Sequence, residues 1–333
     1  MNYFLGKIEM FKLYNNHQKS RLIEFMVVAL VCLFILTVIP VACRKARIDV
    51  SRATCAKNLS VIGKAMMRYA IDNDGELPRA GGRSSHYGGT PIWRGADRFD
   101  AFNLKPDGND GVASISSCFY LLVKYADVAP KCFICPGDSG TTEFKLADVD
   151  AGDRKLVDLW DFGPLASDHC SYAYHMPFGS YPLNTSCEPG MAIAADKNPW
   201  VSSRVVFPGK FSPDGDREAI KAGNSVSHQE EGQNVLFLDN HVSFEERSFC
   251  GINDDNIYTF WEGPDIRIGF FLLPEGPKDM KDSLLIHDDL QAPPITIEQL
   301  RKLKSPSGKT FGEIREEEKA KYLENMNNKK DEK

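Results

Sequence analysis

One run constrains this chain more than any other feature. From Leu22 to Ala42, 21 residues carry a single charge, Glu24, and a single proline, Pro40. A membrane-spanning helix needs about 20 apolar residues, so the run is long enough to be one. The remaining chain reads differently. Across 333 residues the composition is 42% hydrophobic and 26% charged, which is globular usage and argues against wholesale disorder. A mean hydropathy of −0.32 argues against a polytopic membrane protein. The sequence therefore predicts a globular chain bearing one membrane-grade helix near its start.

Both flanks of the run are basic: Lys7, Lys12, Lys19 and Arg21 precede it, and Arg44, Lys45, Arg47 and Arg52 follow. Charge bias alone therefore sets no orientation. A cleaved signal peptide has an apolar core of about 7–15 residues, shorter than this one. The stretch Pro40-Val41-Ala42-Cys43 has a proline where a lipoprotein cleavage site does not. Beyond the run, Ile48, Cys55, Leu59, Ile62, Met66 and Tyr69 are spaced 7, 4, 3, 4 and 3, a helical apolar stripe. Asp72-Asn73-Asp74-Gly75 supplies a stop, with glycine suited to a left-handed cap. The spacing predicts one helix over 20–72, a rod of ~75 Å at ~1.5 Å per residue. Its outer stripe lies on the domain that follows. A carboxylate in hydrocarbon is costly, so Glu24 either pairs with a partner charge or sits hydrated at the interface beside Arg21.

The net charge of −6 argues against a nucleic-acid surface. No Walker-type or dinucleotide glycine pattern is present, and no HExxH or GxSxG. Of nine cysteines, seven lie beyond Cys43, which in an exported chain favours disulfides and leaves an odd thiol. Cys132 and Cys135 form a CxxC with three readings: half of a zinc site completed by His169, Cys170 or Cys187, a redox pair, or structural disulfides. Pro136-Gly137 argues against the helix that a thioredoxin-type redox pair requires.

The segment Leu22-Ile23-Glu24-Phe25-Met26-Val27-Val28, the apolar run, Pro40, the basic turn, Cys55-Ala56-Lys57-Asn58-Leu59 and Tyr69 to Gly75 together resemble type IV pilins and type II secretion pseudopilins. The resemblance implies that Glu24 is the assembly glutamate, pairing with the N-terminal amine of a neighbouring subunit. It implies a prepilin peptidase site at Lys19 and Ser20, where Lys19 stands in place of the family's glycine. An uncut chain would be a pilin-derived anchor or minor subunit. Cys135-Pro136-Gly137-Asp138 resembles a recurrent element of the large pilin-like family of planctomycete-type bacteria. So does a His followed about nine residues later by an Asp-Gly pair. Here ten residues separate His228 from Asp239, and Asn240 replaces the glycine.

Elsewhere, 76–112 reads as a long glycine-rich surface loop and Ser114–Tyr125 as a helix with Ile115, Phe119, Leu122 and Val123 on one face. Short strands are predicted at 171–174 and 191–196. Gln233–Glu246 reads as a hairpin turning at Asp239-Asn240 in type I′ geometry. His228 and Asp239 are read as a loop cap and a turn rather than as a catalytic or metal pair. Asn253, Asp254, Asp255 and Asn256 are the nearest analogue of a pseudopilin calcium loop, read as a solvated loop. Two capping-box signatures, at Thr296 and Thr310, open a charged tail.

The expected organisation is a leader at 1–19, the long helix at 20–72 with its membrane span at 22–42, an extracytoplasmic domain at 73–290 and a charged tail at 291–333. The fold class is α+β, a long N-terminal helix packed on an antiparallel β-sheet, pilin-like. The expected function is non-enzymatic: a pilin-like or pseudopilin-like subunit in the inner membrane with its globular domain in the periplasm or at the cell surface. Its partners are other such subunits and inner-membrane lipid, and not nucleic acid. No cofactor is required, with calcium or zinc as the only candidates. The alternatives are a single-pass anchored binding protein that does not polymerise, and an exported redox or metal protein.

Overall fold

The periodicity of the N-terminal segment becomes a single helix, α1 (Asn2–Ile71). The computed structural model describes residues 2–203, 210–261, 265–269 and 276–289; the side chains of 2–25, 28–29, 31–32, 35–38, 40–42 and 202–203 are not described. The chain divides into two units, Met1–Val50 and Ser51–Lys333.

In the first unit, one expectation needs correcting. Among the described residues, no helix is long and apolar enough to cross a membrane. Where side chains are described continuously, from Cys43 onward, Arg44, Lys45, Arg47, Asp49 and Arg52 interrupt any apolar window. The transmembrane, single-pass and membrane assignments fall on this finding. The pseudopilin, type IV pilin-like, type II secretion, N-terminal methylation and protein-secretion labels lose the support they drew from it. The side chains of Lys19, Ser20 and Glu24 lie outside the described residues, as does the tail from 290 onward.

The second unit opens with the last turns of α1. The predicted stripe faces inward: Cys55, Leu59, Ile62 and Met66 are fully buried. Gly63 allows the closest approach. A Cβ there would lie 2.2 Å from Asn240 Oδ1 and 2.7 Å from Leu236 Cδ1, so any side chain at this position would have to push those two side-chain ends aside. The helix stops where the sequence predicts: Asp74 and Gly75 turn to positive φ, and the Gly75 amide donates to Ala70 O at 2.8 Å.

The 76–112 region is more ordered than a surface loop. It holds α2 (Arg98–Phe102) and the parallel pair β1 (His86–Tyr87) and β2 (Val112–Ala113). Buried Leu77, Ala80 and Phe102 draw it onto the core; the count of glycines hid these anchors. α3 (Ile115–Ala126) follows. Its N-cap Ser114 accepts from the Ser117 amide at 3.0 Å, and Ser117 Oγ accepts from the Ser114 amide at 3.0 Å. Its apolar face packs into aromatics, with Tyr120 and Phe162 at 4.8 Å and Phe119 and Tyr174 at 5.2 Å between centroids.

The main sheet comprises β3 (Tyr172–His175), β4 (Ala192–Asp196), β5 (Gln233–Phe237), β6 (Val242–Glu245) and β7 (Leu285–Ile286), in the order β6-β5-β4-β3-β7, all antiparallel. The mixed helix-and-antiparallel-sheet class therefore holds. Between β4 and β5 lie the short helices α4 (Pro199–Ser203) and α5 (Arg217–Lys221). β4 sits at the centre and is buried throughout, hence its run of alanines flanking Ile193. The β5–β6 turn differs from type I′, because Asn240 has positive φ (71°) and Asp239 does not.

Several carboxylates are buried. Asp161 accepts from Ser114 Oγ at 2.7 Å and Ser116 Oγ at 3.1 Å, and burial pushes its carboxyl up to about 7. Burial does the same to Asp282, which accepts from the Trp261 amide at 3.0 Å. Each acid therefore contributes stability that is full below its ordinary value of 3.8 and lost as pH rises through about 7. His175 acts oppositely: burial holds it neutral down to about 3, so its contribution is present above its ordinary 6.5 and lost as pH falls toward about 3. Asp161→Asn isolates the first effect. The stability difference between wild type and variant should shrink, or reverse in favour of the variant, as pH rises from about 4 to about 8, read by thermal melts across that range. A difference that does not change with pH would show that Asp161 is ionised throughout.

Candidate functional site

The most concentrated chemistry lies where α1 meets the sheet. Cys55 sits on the buried stripe of α1. Cys135 follows a 3-10 turn, Pro130–Phe133, that opens on a proline. The two form a disulfide with Cα atoms 5.2 Å apart and 80 residues between them in sequence. One turn along the helix from Cys55, Asn58 Nδ2 donates to Ile134 O at 2.8 Å, a second tie between the same two segments.

Cys135-Pro136-Gly137-Asp138 then turns sharply. The Gly137 amide donates to Cys135 Sγ at 3.3 Å. A Cβ on Gly137 would lie 2.2 Å from Ser227 O and 3.1 Å from His228 Nδ1, so the backbone passes against His228 with no room for a side chain. Asp138 Oδ2 pairs with Lys197 Nζ at 2.9 Å, with both side chains mostly buried. This ion pair fixes the turn to the end of β4.

The floor of the site is polar. Asp196 ends β4 and His228 ends the 3-10 turn Val226–His228 that precedes β5. His228 Nε2 lies 3.2 Å from Asp196 Oδ2 and 3.6 Å from Cys135 Sγ, with side chains 1% and 0% exposed for His228 and Asp196. Asn234 on β5 donates to Asp196 Oδ2 from its backbone amide at 2.7 Å and from Nδ2 at 3.3 Å. Tyr258 Oη donates to the Asp196 carbonyl at 2.8 Å. Asp196 Oδ1 is buried with no hydrogen-bond partner. The His228 ring packs edge-on against Phe244, whose outer face is covered by the Arg52 guanidinium at 4.2 Å from the ring centroid. The donor atoms of Cys55, Cys135, Asp196 and His228 all lie within 4.8 Å of one another.

The residues singled out from sequence are thus redistributed. His228 and Asp239 do not meet: Asp239 pairs with its neighbour His241 at 2.5 Å on the exposed hairpin turn, where the His241 backbone amide first, and its ring second, hold the carboxyl below the ordinary carboxylate value. Asn240 makes the turn itself. Cys132 and Cys135 also part company, because Cys135 bonds Cys55 while Cys132 is a half-buried free thiol. Cys170 is buried and directed at Tyr172 O, and His169 is paired with Thr142 O at 2.8 Å, so neither joins the CxxC. In the supposed calcium loop, Asp255 is buried and accepts from the Ser283 amide at 2.8 Å, and burial together with the neighbouring Asp282 raises its carboxyl. Ser227 Oγ is buried with no hydrogen-bond partner, and Ser225 accepts from the Ser227 amide.

Sequence reading missed Cys55, Asp196 and Asn234 as site members. By spacing Cys55 is one more position of the apolar stripe, and Asp196 is the last residue of a predicted strand. No family model, no curated protein and no solved structure matches the chain.

Two substitutions measure how much the site holds. Under non-reducing conditions Cys135→Ser should lower stability by about 2–4 kcal/mol, the usual range for a long-loop disulfide. Gly137→Ala should cost about 1–3 kcal/mol by forcing Cβ into Ser227 O. Urea titration of the purified chain reads both; an unchanged midpoint for Gly137→Ala would show that the turn relaxes freely.

Proposed function

We propose that this protein is a non-enzymatic subunit that assembles with further copies of itself through an apolar face of its N-terminal helix. One observation carries the reading. In the first unit, Met26, Val27, Leu30 and Ile39 are 57, 53, 62 and 52% exposed along α1. Leu30 lies four residues from Met26 and three from Val27, the i,i+4 and i,i+3 spacings with which helices interdigitate. Exposed apolar side chains in this density mark an association surface. The partner face with the matching chemistry is the same run on another copy, which offers an equally apolar stripe of equal length.

The chemistry of the second unit supports a non-enzymatic role. Its only His–Asp pair with a neighbouring sulfur among the described residues is sealed from solvent and stapled over by a disulfide. That arrangement suits holding a helix on a sheet better than admitting a substrate.

Full-length protein should sediment as an oligomer, and the exposed thiol of Cys43 should form a copy-to-copy disulfide on mild oxidation. Met26→Asp with Leu30→Asp should reduce the oligomer at least about tenfold in population, the effect of about 1.4 kcal/mol or more. The near-UV circular dichroism of the second unit should be unchanged. A wild-type chain that sediments as a monomer at every concentration would sink the proposal.

A further inference from the structure

The disulfide, His228 and Asp196 point to a second state of the same site. We propose that Cys55, Cys135, His228 and Asp196 form a redox-gated site for a zinc-class divalent cation, closed to metal when the cysteines are joined and open when they are reduced.

Two edges of a four-ligand cage are already in place, and all four donor atoms lie within 4.8 Å of one another. Tetrahedral zinc bonds of about 2.3 Å to sulfur and about 2.0 Å to nitrogen or oxygen imply ligand–ligand edges of about 3.6 Å for S–N and about 3.3 Å for N–O. The observed Cys135 Sγ to His228 Nε2 distance is 3.6 Å, and His228 Nε2 to Asp196 Oδ2 is 3.2 Å. The largest change needed is at the two sulfurs. They must part to about 3.8 Å, within reach of rotation about the two Cα–Cβ bonds when the Cα atoms are 5.2 Å apart.

The surroundings are also those of a metal centre. The Gly137 amide already points at Cys135 Sγ at 3.3 Å, a hydrogen bond that favours thiolate over thiol. Asn234 holds the Asp196 carboxylate through two N–H groups, the kind of outer contact that orients a ligating carboxylate. Asp196 Oδ1, buried and unpartnered, retains the capacity to bind. Two thiolates, an imidazole and a carboxylate are a donor set for zinc or cobalt(II) rather than for calcium or magnesium, which take oxygen.

The opening step is thiol–disulfide exchange with a dithiol reductant. The reductant gives two electrons and two protons to the Cys55–Cys135 bond, leaving two thiols, and itself closes to a cyclic disulfide. Metal entry then releases both thiol protons to solvent and forms two metal–sulfur bonds, with His228 carrying its proton on Nδ1 and Nε2 exchanging its contact with Asn234 Nδ2 for the metal. The cation would replace the covalent staple between α1 and the Pro130–Phe133 turn by a coordinate one, and would extend it to β4.

The test uses the full-length chain with Co²⁺ and Zn²⁺ as probes. After dithiol treatment and removal of the reductant, the protein should bind one Co²⁺ per chain with the intense near-ultraviolet band of thiolate-to-cobalt charge transfer and the visible bands of tetrahedral cobalt. Zn²⁺ should displace it. The untreated, disulfide-bonded protein should show neither band. His228→Gln should weaken cobalt binding at least about tenfold, while Cys132→Ser should leave it unchanged. Because His228→Gln could fail to fold, alkylation mapping of the reduced wild type provides an independent reading: Zn²⁺ should slow modification of Cys55 and Cys135 by about tenfold or more and spare Cys132 no differently than buffer. Absence of cobalt bands in the reduced protein, equal binding by the oxidised protein, or protection of other cysteines instead would overturn the proposal.

Discussion

The second unit depends on holding a solvent-side helix against a sheet whose central strand is made largely of alanine. Small residues on β4 let the layers approach closely, but they bury little area each. The deficit is met at one place. Cys55 is tied covalently to Cys135, Asn58 is tied to the adjoining carbonyl, and the turn beyond is pinned to β4 by Asp138 and Lys197. The order of contacts is therefore helix to turn and turn to sheet.

A second constraint runs through the polar interior. Asp161, Asp282 and Asp255 are buried carboxyls and Asp288 a half-buried one, each raised chiefly by desolvation. Asp288 accepts from the first two amides of α3, at Ile115 and Ser116, and so caps the helix from outside the segment. Asp255 and Asp282 tie loops around β7 in the same way. These acids stitch irregular segments where no strand ladder is available. They account for the chain reaching such order with few long elements.

Local patterns were legible in the sequence and long-range partners were not. The α1 stripe, the α3 face and the strands β3 to β6 follow from periodicity, because each depends on residues a few positions apart. The Cys55–Cys135 bond joins residues 80 apart, and the His228–Asp196 contact bridges the long connection between β4 and β5; spacing carries no information about either. The motif spacing links His228 only to Asp239, whereas the β4–β5 register sets Asp196 against Asn234, and Asp196 then meets His228. The glycine-rich 76–112 region concealed α2 because glycine count says nothing about buried anchors such as Phe102. The apolar run raised the expectation of a membrane span that the described residues do not bear out.

The sheet's margins carry one more consequence. β7, at one edge, has two residues, and β6, at the other, has four, with Glu245 at its end and Phe244 roofed by Arg52. An edge this short and partly shielded offers little template for an incoming strand. Backbone-to-backbone zippering of one molecule onto the next, the route to fibrillar aggregation, is therefore blunted in this unit. The folded portion can in this way stand at high local concentration without fusing to its neighbours.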